Sequence, residues 1–351
     1  MEPGARMTSA GEWSIFPTQV NGPGPFKGGV DPALFRHEQI KNASWSEDYY
    51  HHLSFPDGTM MTVLIGFNNN EASVLFVLAR PGAKIMREQE TYKNKKVTWQ
   101  DEGFGAAIGP NRMWLEGDKY HLELELGRVK ARITYDPLAA GCAWGDGMVR
   151  YPDGKSFACY KLPIPWARVH VEAVVEGKEY RLDGLGNMSL DNQVLSIMHT
   201  PPRWRFFWFL GEDHALMLTE YNAQPQFGET LVQRLTFMDR AGAFTSTAYE
   251  LKWDDWVEEQ KVAFRYPKHY ALAAEAGGVQ LTAEARAGEL LLKEDLFSNL
   301  PAVVRTIAKT MTKNGWVYDW LGDYSIAVTR EGRRETYSGR GVVRWMALEE
   351  K

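Results

Sequence analysis

The sequence predicts an all-β protein made of two antiparallel β-barrel domains, with one amphipathic helix near the C-terminus. Many short segments place apolar residues at every second position, which is the period of a strand with one buried face. The chain also holds 32 glycines and 13% aromatic residues, a composition typical of short strands joined by tight turns. Its 351 residues suggest about two domains.

Composition along the chain predicts three segments. Residues 1–29 are rich in glycine and proline and predict an irregular N-terminal arm. Residues 30–199 and 200–351 carry the two sets of strands and are predicted to be the two barrels. The linker is placed near Pro201–Pro202, because two prolines in succession resist both a helix and an inner strand.

The clearest strand signal is a hairpin. Residues 121–126 alternate leucine with polar side chains, Gly127–Arg128 makes the turn, and residues 129–133 alternate in return, which predicts a half-buried hairpin. Residues 183–192 are polar and contain two glycines, so we expect a strand-to-strand corner there. Residues 204–209 are aromatic on both strand faces.

One segment has a helical period. Asn299 can cap a helix with Pro301 in its first turn, apolar residues then recur at three and four positions, and Asn314–Gly315 ends it. This C-terminal helix either braces the second barrel or contacts a membrane through its basic face. The basic row consists of Arg305, Lys309 and Lys313.

Composition and motifs exclude several classes of function. The net charge of -5 gives no general attraction to nucleic acid or anionic membranes. The sequence has no nucleophile elbow, phosphate-binding loop or dinucleotide fingerprint, so serine-hydrolase and nucleotide chemistry are set aside and no cofactor is expected. It shows neither a spanning apolar run nor a signal peptide, which predicts a cytoplasmic protein, with peripheral membrane association through the helix as the alternative.

Histidine and cysteine spacing predicts no metal site. The neighbours His51 and His52 would point to opposite faces of a strand and would not bind one ion together. Cys142 and Cys159 flank a hairpin. We expect two reduced thiols, with a cross-strand disulfide as the alternative.

A family resemblance rests on the order of several segments. Pro165–Glu172 reads Pro-x-Ala-Arg-Val-x-Val-Glu, Tyr180–Gly186 reads Tyr-Arg-x-x-Gly-x-Gly, and the aromatic strand is followed by Leu216–Tyr221. In this order the chain, from about residue 30 to residue 348, resembles the carotenoid 1,2-hydratase-like superfamily. That superfamily includes hydroxyneurosporene synthases, kievitone hydratases, lipocalin-like fungal Diels-Alderases and the yeast survival-factor lipid carriers.

The resemblance implies two lipocalin-like, calycin-type barrels and a hydrophobic ligand, such as an isoprenoid, a polyketide or a lipid, in an aromatic-lined barrel pocket. It implies either cofactor-free hydration, cyclisation or a pericyclic step, or lipid carriage without chemistry. Hydratases of this group carry a Tyr-x-Asp/His-x-Asn-Trp-Gly pattern where residues 187–193 read Asn-Met-Ser-Leu-Asp-Asn-Gln. The missing Tyr and Trp favour the carrier, and the pericyclase branch, in which this pattern is looser, stays open.

Two carboxyl groups are candidate proton donors, since an apolar setting that raises a pKa makes a carboxyl group a useful acid. Asp191 is the first by its position in the polar segment. Glu220 is the second, because strand alternation places it among apolar neighbours. The alternatives are a turn-capping role for Asp191 and, for Glu220, a salt bridge with Arg203 or Arg205.

Aromatic residues are the candidate ligand wall. Thirteen tryptophans exceed what core filling usually needs, although packing remains the alternative for each one. Tyr50, His52 and Tyr221 can donate hydrogen bonds to a ligand oxygen. The full set of candidate ligand-binding residues is Trp45, Tyr50, His52, Trp114, Asn187, Trp208 and Tyr221.

Overall fold

The computed structural model describes residues 20–21, 31–100, 104–195, 201–224, 230–259, 264–297 and 312–350. These residues are mostly β-strand, joined by short turns and two 3-10 helices, Pro32–Phe35 and Asn94–Lys96. The chain divides into two compact units, the first built on residues up to Leu195 and the second on most residues from Ser196 onward. Within the described ranges, no helix is long and apolar enough to cross a membrane.

The first unit is one antiparallel sheet. Its order is β5-β4-β3-β2-β13-β12-β10-β9-β8-β7-β6, with β11 paired to β12 and β1 paired to β11. The strands are β1 (Val20–Asn21), β2 (Trp45–Ser54), β3 (Met60–Asn68), β4 (Glu71–Ala79), β5 (Met86–Lys93), β6 (Val97–Trp99), β7 (Gly105–Ile108), β8 (Asn111–Glu116), β9 (Lys119–Leu126), β10 (Val129–Pro137), β11 (Cys142–Arg150), β12 (Phe157–Val175) and β13 (Lys178–Val194).

Hydrogen bonds between β5, at one end of this sheet, and the region of β8 and β9 make the sheet a nearly closed barrel. The backbone N–H of Gly127, in the turn after β9, donates to Glu90 of β5 at 2.8 Å. The amide of Asn111 in β8 donates to the hydroxyl of Tyr92 in β5 at 3.0 Å. The inner face is filled by a continuous apolar core, as in small barrels whose side chains fill the interior.

The second unit is also one antiparallel sheet, of order β17-β16-β15-β14-β22-β21-β20-β19-β18. The Gln233 amide of β16 donates to the backbone carbonyl of Tyr249 in β18 at 3.0 Å, so the sheet curls back over its aromatic core. The strands are β14 (Arg203–Leu210), β15 (His214–Asn222), β16 (Leu231–Asp239), β17 (Gly242–Ser246), β18 (Tyr249–Glu259), β19 (Phe264–Ala276), β20 (Val279–Asp295), β21 (Thr312–Arg330) and β22 (Arg333–Glu350).

The all-β prediction and the predicted hairpin are confirmed: β9 and β10 pair through Leu126 and Val129. The predicted corner at 183–192 is wrong, because these residues form the second half of β13 and bond to strands on both sides. The glycines of this segment instead allow neighbouring side chains to pack closely on the strand. A Cβ at Gly186 would lie 2.8 Å from the side chain of Val169.

Two further expectations concern the helix and the thiols. The predicted helix lies almost wholly in residues 298–311, outside the described residues. Its predicted end at Asn314–Gly315 is wrong, because β21 begins at Thr312 and pairs with β22. Cys142 and Cys159 are both buried and are not joined in a disulfide, and burial raises the pKa of Cys142 to about 12.

Candidate functional site

Strands β2 and β13 lie side by side at the centre of the first sheet, and each has an apolar inner face. Tyr49 and Leu53 of β2 pack into the barrel core with Met188 and Leu190 of β13. Since neighbouring residues on a strand point to opposite faces, the polar residues between them lie on the outer face. We call these residues the outer polar cluster: Asp48, Tyr50, His52, Asn187, Ser189 and Asp191.

The strand register pairs the members of the outer polar cluster two by two. Asp48 lies opposite Asp191, Tyr50 opposite Ser189, and His52 opposite Asn187. The rings of Tyr50 and His52 stack with centroids 5.8 Å apart. Although they are on the outer face, His52, Asn187 and Ser189 are buried, so this polar surface is largely withdrawn from water.

Aromatic and aliphatic side chains flank the cluster. Tyr160 of β12 lies opposite Asp191 and packs on Trp144, with ring centroids 5.7 Å apart. On the other side, Leu64 of β3 lies opposite Tyr50. The cluster therefore combines hydrogen-bonding groups with an apolar surround, which is the usual composition of a small-molecule site.

Asp48 has a strongly altered acidity. Burial is the largest cause of the rise, and together with the like charges of Asp191 and Glu47 it raises the pKa of Asp48 from 3.8 to about 8. Gly66 of β3 lies opposite Asp48 and makes room for its carboxyl group, because a Cβ there would lie 2.6 Å from Asp48 Oδ1. At neutral pH the Asp48 carboxyl group therefore holds a proton.

Asn187 carries unmet hydrogen-bonding capacity. Its Nδ2 and Oδ1 are both buried, and neither has a hydrogen-bond partner among the residues that the structure describes. A buried amide in this state costs free energy that a suitable partner would recover. The side chain therefore offers both a donor and an acceptor to a ligand.

Trp45, one of the predicted ligand residues, lies in the barrel core. Its indole N–H donates to Asn192 Oδ1 at 3.1 Å, and Asn192 Nδ2 donates to Glu47 Oε2 at 2.7 Å. Glu47 also contacts His37 Nδ1 at 2.6 Å. This inner network faces away from the outer polar cluster.

Trp114, another predicted ligand residue, lies on β8, and three strands separate β8 from β13 in the sheet. It stacks on His121, with ring centroids 5.0 Å apart, and the Arg112 guanidinium lies 4.8 Å from its ring. This group is a separate surface feature of the first unit.

The remaining predicted residues belong to the second unit. Phe207 and Phe209 face its core, so Trp208 lies on the outer face of β14, stacked on Phe206 at 5.3 Å. Tyr221 also faces outward, because it lies opposite Trp204 on β14.

Glu220 lies in the interior of the second sheet. It accepts from Arg205 Nη2 at 2.8 Å and from Gln233 Nε2 at 2.8 Å. Burial raises the pKa of Glu220, and the charge of Arg205 acts against that rise. The geometry is thus the salt bridge with Arg205 named above as the alternative.

The structure brings together four of the predicted residues, Tyr50, His52, Asn187 and Asp191. Sequence reasoning missed Asp48, although its spacing of two and four residues from Tyr50 and His52 would place it on their strand face. No pattern within β2 indicates that its neighbour is β13, so the cross-strand partner of Asp48 could not be predicted from the sequence.

Comparison with known proteins agrees with this fold. Residues 111–344, more than half of the chain, match the model of the Svf1 family. The chain belongs to the Svf1 family. No curated protein matches it. The predicted resemblance is therefore confirmed for the family as a whole.

Several solved structures are similar to this family member. CghA has 11% sequence identity and a TM-score of 0.66, covering 93% of this chain and 94% of CghA. The complex of CghA with Sch210972 has 11% identity and a TM-score of 0.67, at 94% and 95% coverage. Kievitone hydratase from Nectria haematococca has 13% identity and a TM-score of 0.55, at 94% and 98% coverage. A putative AttH from Nitrosomonas europaea has 14% identity and a TM-score of 0.58, at 91% and 99% coverage. At these identities the likeness shows the shared fold.

Proposed function

We propose that this Svf1-family protein binds a hydrophobic small molecule bearing an oxygen group at the outer polar cluster. The cluster promotes a cofactor-free hydration, cyclisation or pericyclic step, with the Asp48–Asp191 pair as the acid. The observation that carries the proposal is the carboxyl group of Asp48, whose pKa near 8 keeps it protonated directly opposite Asp191. A neutral carboxylic acid in an apolar surround is what protonation of a carbon–carbon double bond requires.

The rest of the cluster would bind and orient the ligand. Asn187 presents a donor and an acceptor that are otherwise unmet, and both fit a hydroxyl or carbonyl group. The stacked rings of Tyr50 and His52 form a wall, and the π face of Tyr50 can stabilise a developing positive charge. After Asp48 gives up its proton, the nearby charge of Asp191 favours its reprotonation.

Similar structures support small-molecule binding by this fold, since CghA is solved with Sch210972. The ligand class that we propose is an isoprenoid, a polyketide or a lipid, and nucleic acid is not a proposed partner. The proposed location is the cytoplasm.

The alternative is a lipid carrier with no chemistry. The buried amide of Asn187 supports the carrier as well as it supports the enzyme, because a binding site needs such a group whether or not a reaction follows. The altered polar pattern at 187–193 also favours the carrier.

Membrane loading through Arg305, Lys309 and Lys313 remains a prediction. Arg305 and Lys309 lie outside the described residues, and the side chain of Lys313 is not described. Replacing all three by Glu should reduce co-sedimentation with anionic liposomes, and unchanged binding would refute the membrane contact.

The first experiment is organic extraction of protein purified from its own host, followed by mass spectrometry. A single terpenoid or polyketide supports the enzyme, and a heterogeneous set of membrane lipids supports the carrier. With that compound in hand, Asp48→Asn and Asp191→Asn are compared with Asp136→Asn, a change at an exposed position on β10. We expect turnover to be lost in the first two variants while binding persists. Full turnover in Asp48→Asn would rule that residue out as the acid.

A further inference from the structure

The interior of the second sheet holds a second polar group among aromatic side chains. Arg205 of β14 is 1% exposed. On the same rung of the sheet, Glu220 lies on one side of it in β15 and Trp345 on the other side in β22. Trp253 of β18 covers the guanidinium group, whose centre lies 4.5 Å from the indole ring.

Among the described residues, only one of the three guanidinium nitrogens of Arg205 has hydrogen-bond acceptors. Nη2 donates to Glu220 at 2.8 Å and to Asn222 Oδ1 at 2.9 Å. Nε and Nη1 are buried and have no acceptor in the described part of the chain, and the same holds for Nε1 of Trp345. Arg205 and Trp345 are close, with 5.7 Å between the guanidinium centre and the indole ring.

These three nitrogens lack acceptors, and buried donors without acceptors carry their full desolvation penalty. A group that binds here would therefore supply oxygen acceptors. It need not supply charge, because the Glu220 carboxylate already faces the positive charge of Arg205 at 2.8 Å, and a second buried anion would be left uncompensated. A carbonyl oxygen meets both conditions for two of the three nitrogens, because it has two lone pairs.

The surrounding wall indicates the body of the ligand. Trp253 and Trp256 both pack on Trp345, with ring centroids 5.9 Å and 5.8 Å apart. Trp256 is 41% exposed, so this aromatic wall extends to the protein surface. Flat aromatic or conjugated ligands pack well on such rings.

We propose that the interior of the second sheet is a binding site for a neutral carbonyl compound with an aromatic or conjugated body. Arg205 and Trp345 donate to its carbonyl oxygen, and Trp253 and Trp256 contact its body. This site is separate from the outer polar cluster and does not depend on the function proposed for that cluster.

Three probes of one shape test the proposal on the full-length protein. They are 2-acetylnaphthalene, 2-ethylnaphthalene and 2-naphthoate, titrated by calorimetry, with the ketone stretch followed by infrared spectroscopy. We expect the ketone to bind most tightly and its stretch to fall in frequency, as a hydrogen-bonded carbonyl does. Failure of the ketone to bind, or tighter binding of 2-naphthoate, would overturn the proposal.

Variants of the proposed site test whether the ketone binds there. Trp345→Phe removes one donor and keeps a ring, so the ketone should bind about fivefold to tenfold more weakly. Arg205→Met combined with Glu220→Met removes the other donors without leaving an unpaired charge and should abolish the infrared shift. Trp320→Phe changes another buried tryptophan of the same core and is the control for lost ring area.

The same variants separate this site from the outer polar cluster. Asn187→Leu should not reproduce the loss of ketone binding and of the infrared shift expected in the variants of the Arg205 rung. A loss in Asn187→Leu with wild-type affinity in Trp345→Phe would place the ketone at the outer polar cluster and refute the second site. Equal ketone affinity in the wild type and in both variants of the Arg205 rung would also refute it.

Discussion

Asp48 and Asp191 lie directly opposite each other on the neighbouring antiparallel strands β2 and β13. Like charges in such a cross-strand pair destabilise the sheet. The fold resolves the conflict by holding a proton on Asp48, whose pKa rises from 3.8 to about 8 because of burial and of the charges on Asp191 and Glu47. The proton needed for the proposed chemistry is thus a consequence of the strand pairing.

Replacing Asp48 with Asn should change how stability depends on pH. Because the pKa of Asp48 is higher in the folded state, this residue stabilises the fold fully below about pH 4 and loses that contribution as the pH rises to 8. In that window the wild type should lose up to about 1.4 kcal/mol of unfolding free energy per pH unit relative to Asp48→Asn. Urea unfolding at pH 5, 6, 7 and 8 measures the difference.

The control for this prediction is Asp136→Asn, which removes an exposed carboxyl group on β10. Its stability should follow that of the wild type across the same range. Parallel curves for the wild type and Asp48→Asn would mean that Asp48 is ionised throughout and would remove the basis of the proposed acid.

Replacing Asp191 with Asn should lower the pKa of Asp48. The variant removes one of the two charges that oppose ionisation of Asp48, while burial, the largest cause, remains. The pKa should therefore fall below 8 and stay above 3.8. Carbon-13 NMR titration of the Asp48 carboxyl group measures it directly, and an unchanged midpoint would show that the two carboxyl groups do not interact.

Asn187 and Asn192 lie on opposite faces of β13 and should respond oppositely to the same substitution. Asn187→Leu removes a buried amide with no partner and should stabilise the ligand-free protein by about 1–3 kcal/mol while weakening ligand binding. Asn192→Leu removes the bonds to Trp45 and Glu47 and should cost about 3 kcal/mol or more. Denaturant unfolding of both variants measures the two changes. Destabilisation by Asn187→Leu would contradict the prediction and indicate that the amide has a partner.

Arg205 and Glu220 should show strong coupling in a double-mutant cycle. Arg205→Met leaves the buried carboxylate of Glu220 without its counter-charge and should cost about 3–5 kcal/mol. The double variant with Glu220→Met should recover most of that loss, because no unpaired charge remains. Additive losses in urea unfolding would show that the pair contributes nothing beyond its separate residues.

Local sequence patterns were sufficient for the elements with a regular period. The alternation before Leu126 and after Val129 predicted the β9–β10 hairpin, because both the strand period and the turn are local properties. The polar run in β13 was misread as a corner for the same local reason. Polar residues end a strand when both faces are buried among apolar groups, but Asn187, Ser189 and Asp191 share one face of a continuing strand.

The sequence by itself determined the strand period, the β9–β10 hairpin and the all-β class with two sets of strands. Only the tertiary structure decided that β2 pairs with β13, which places Asp48 against Asp191 and raises its pKa. It also decided that Arg205 would meet Glu220 and Trp345 in the interior of the second sheet. The physical reason is that a strand's own residues specify its faces, whereas its neighbours are chosen by long-range backbone pairing and sheet closure.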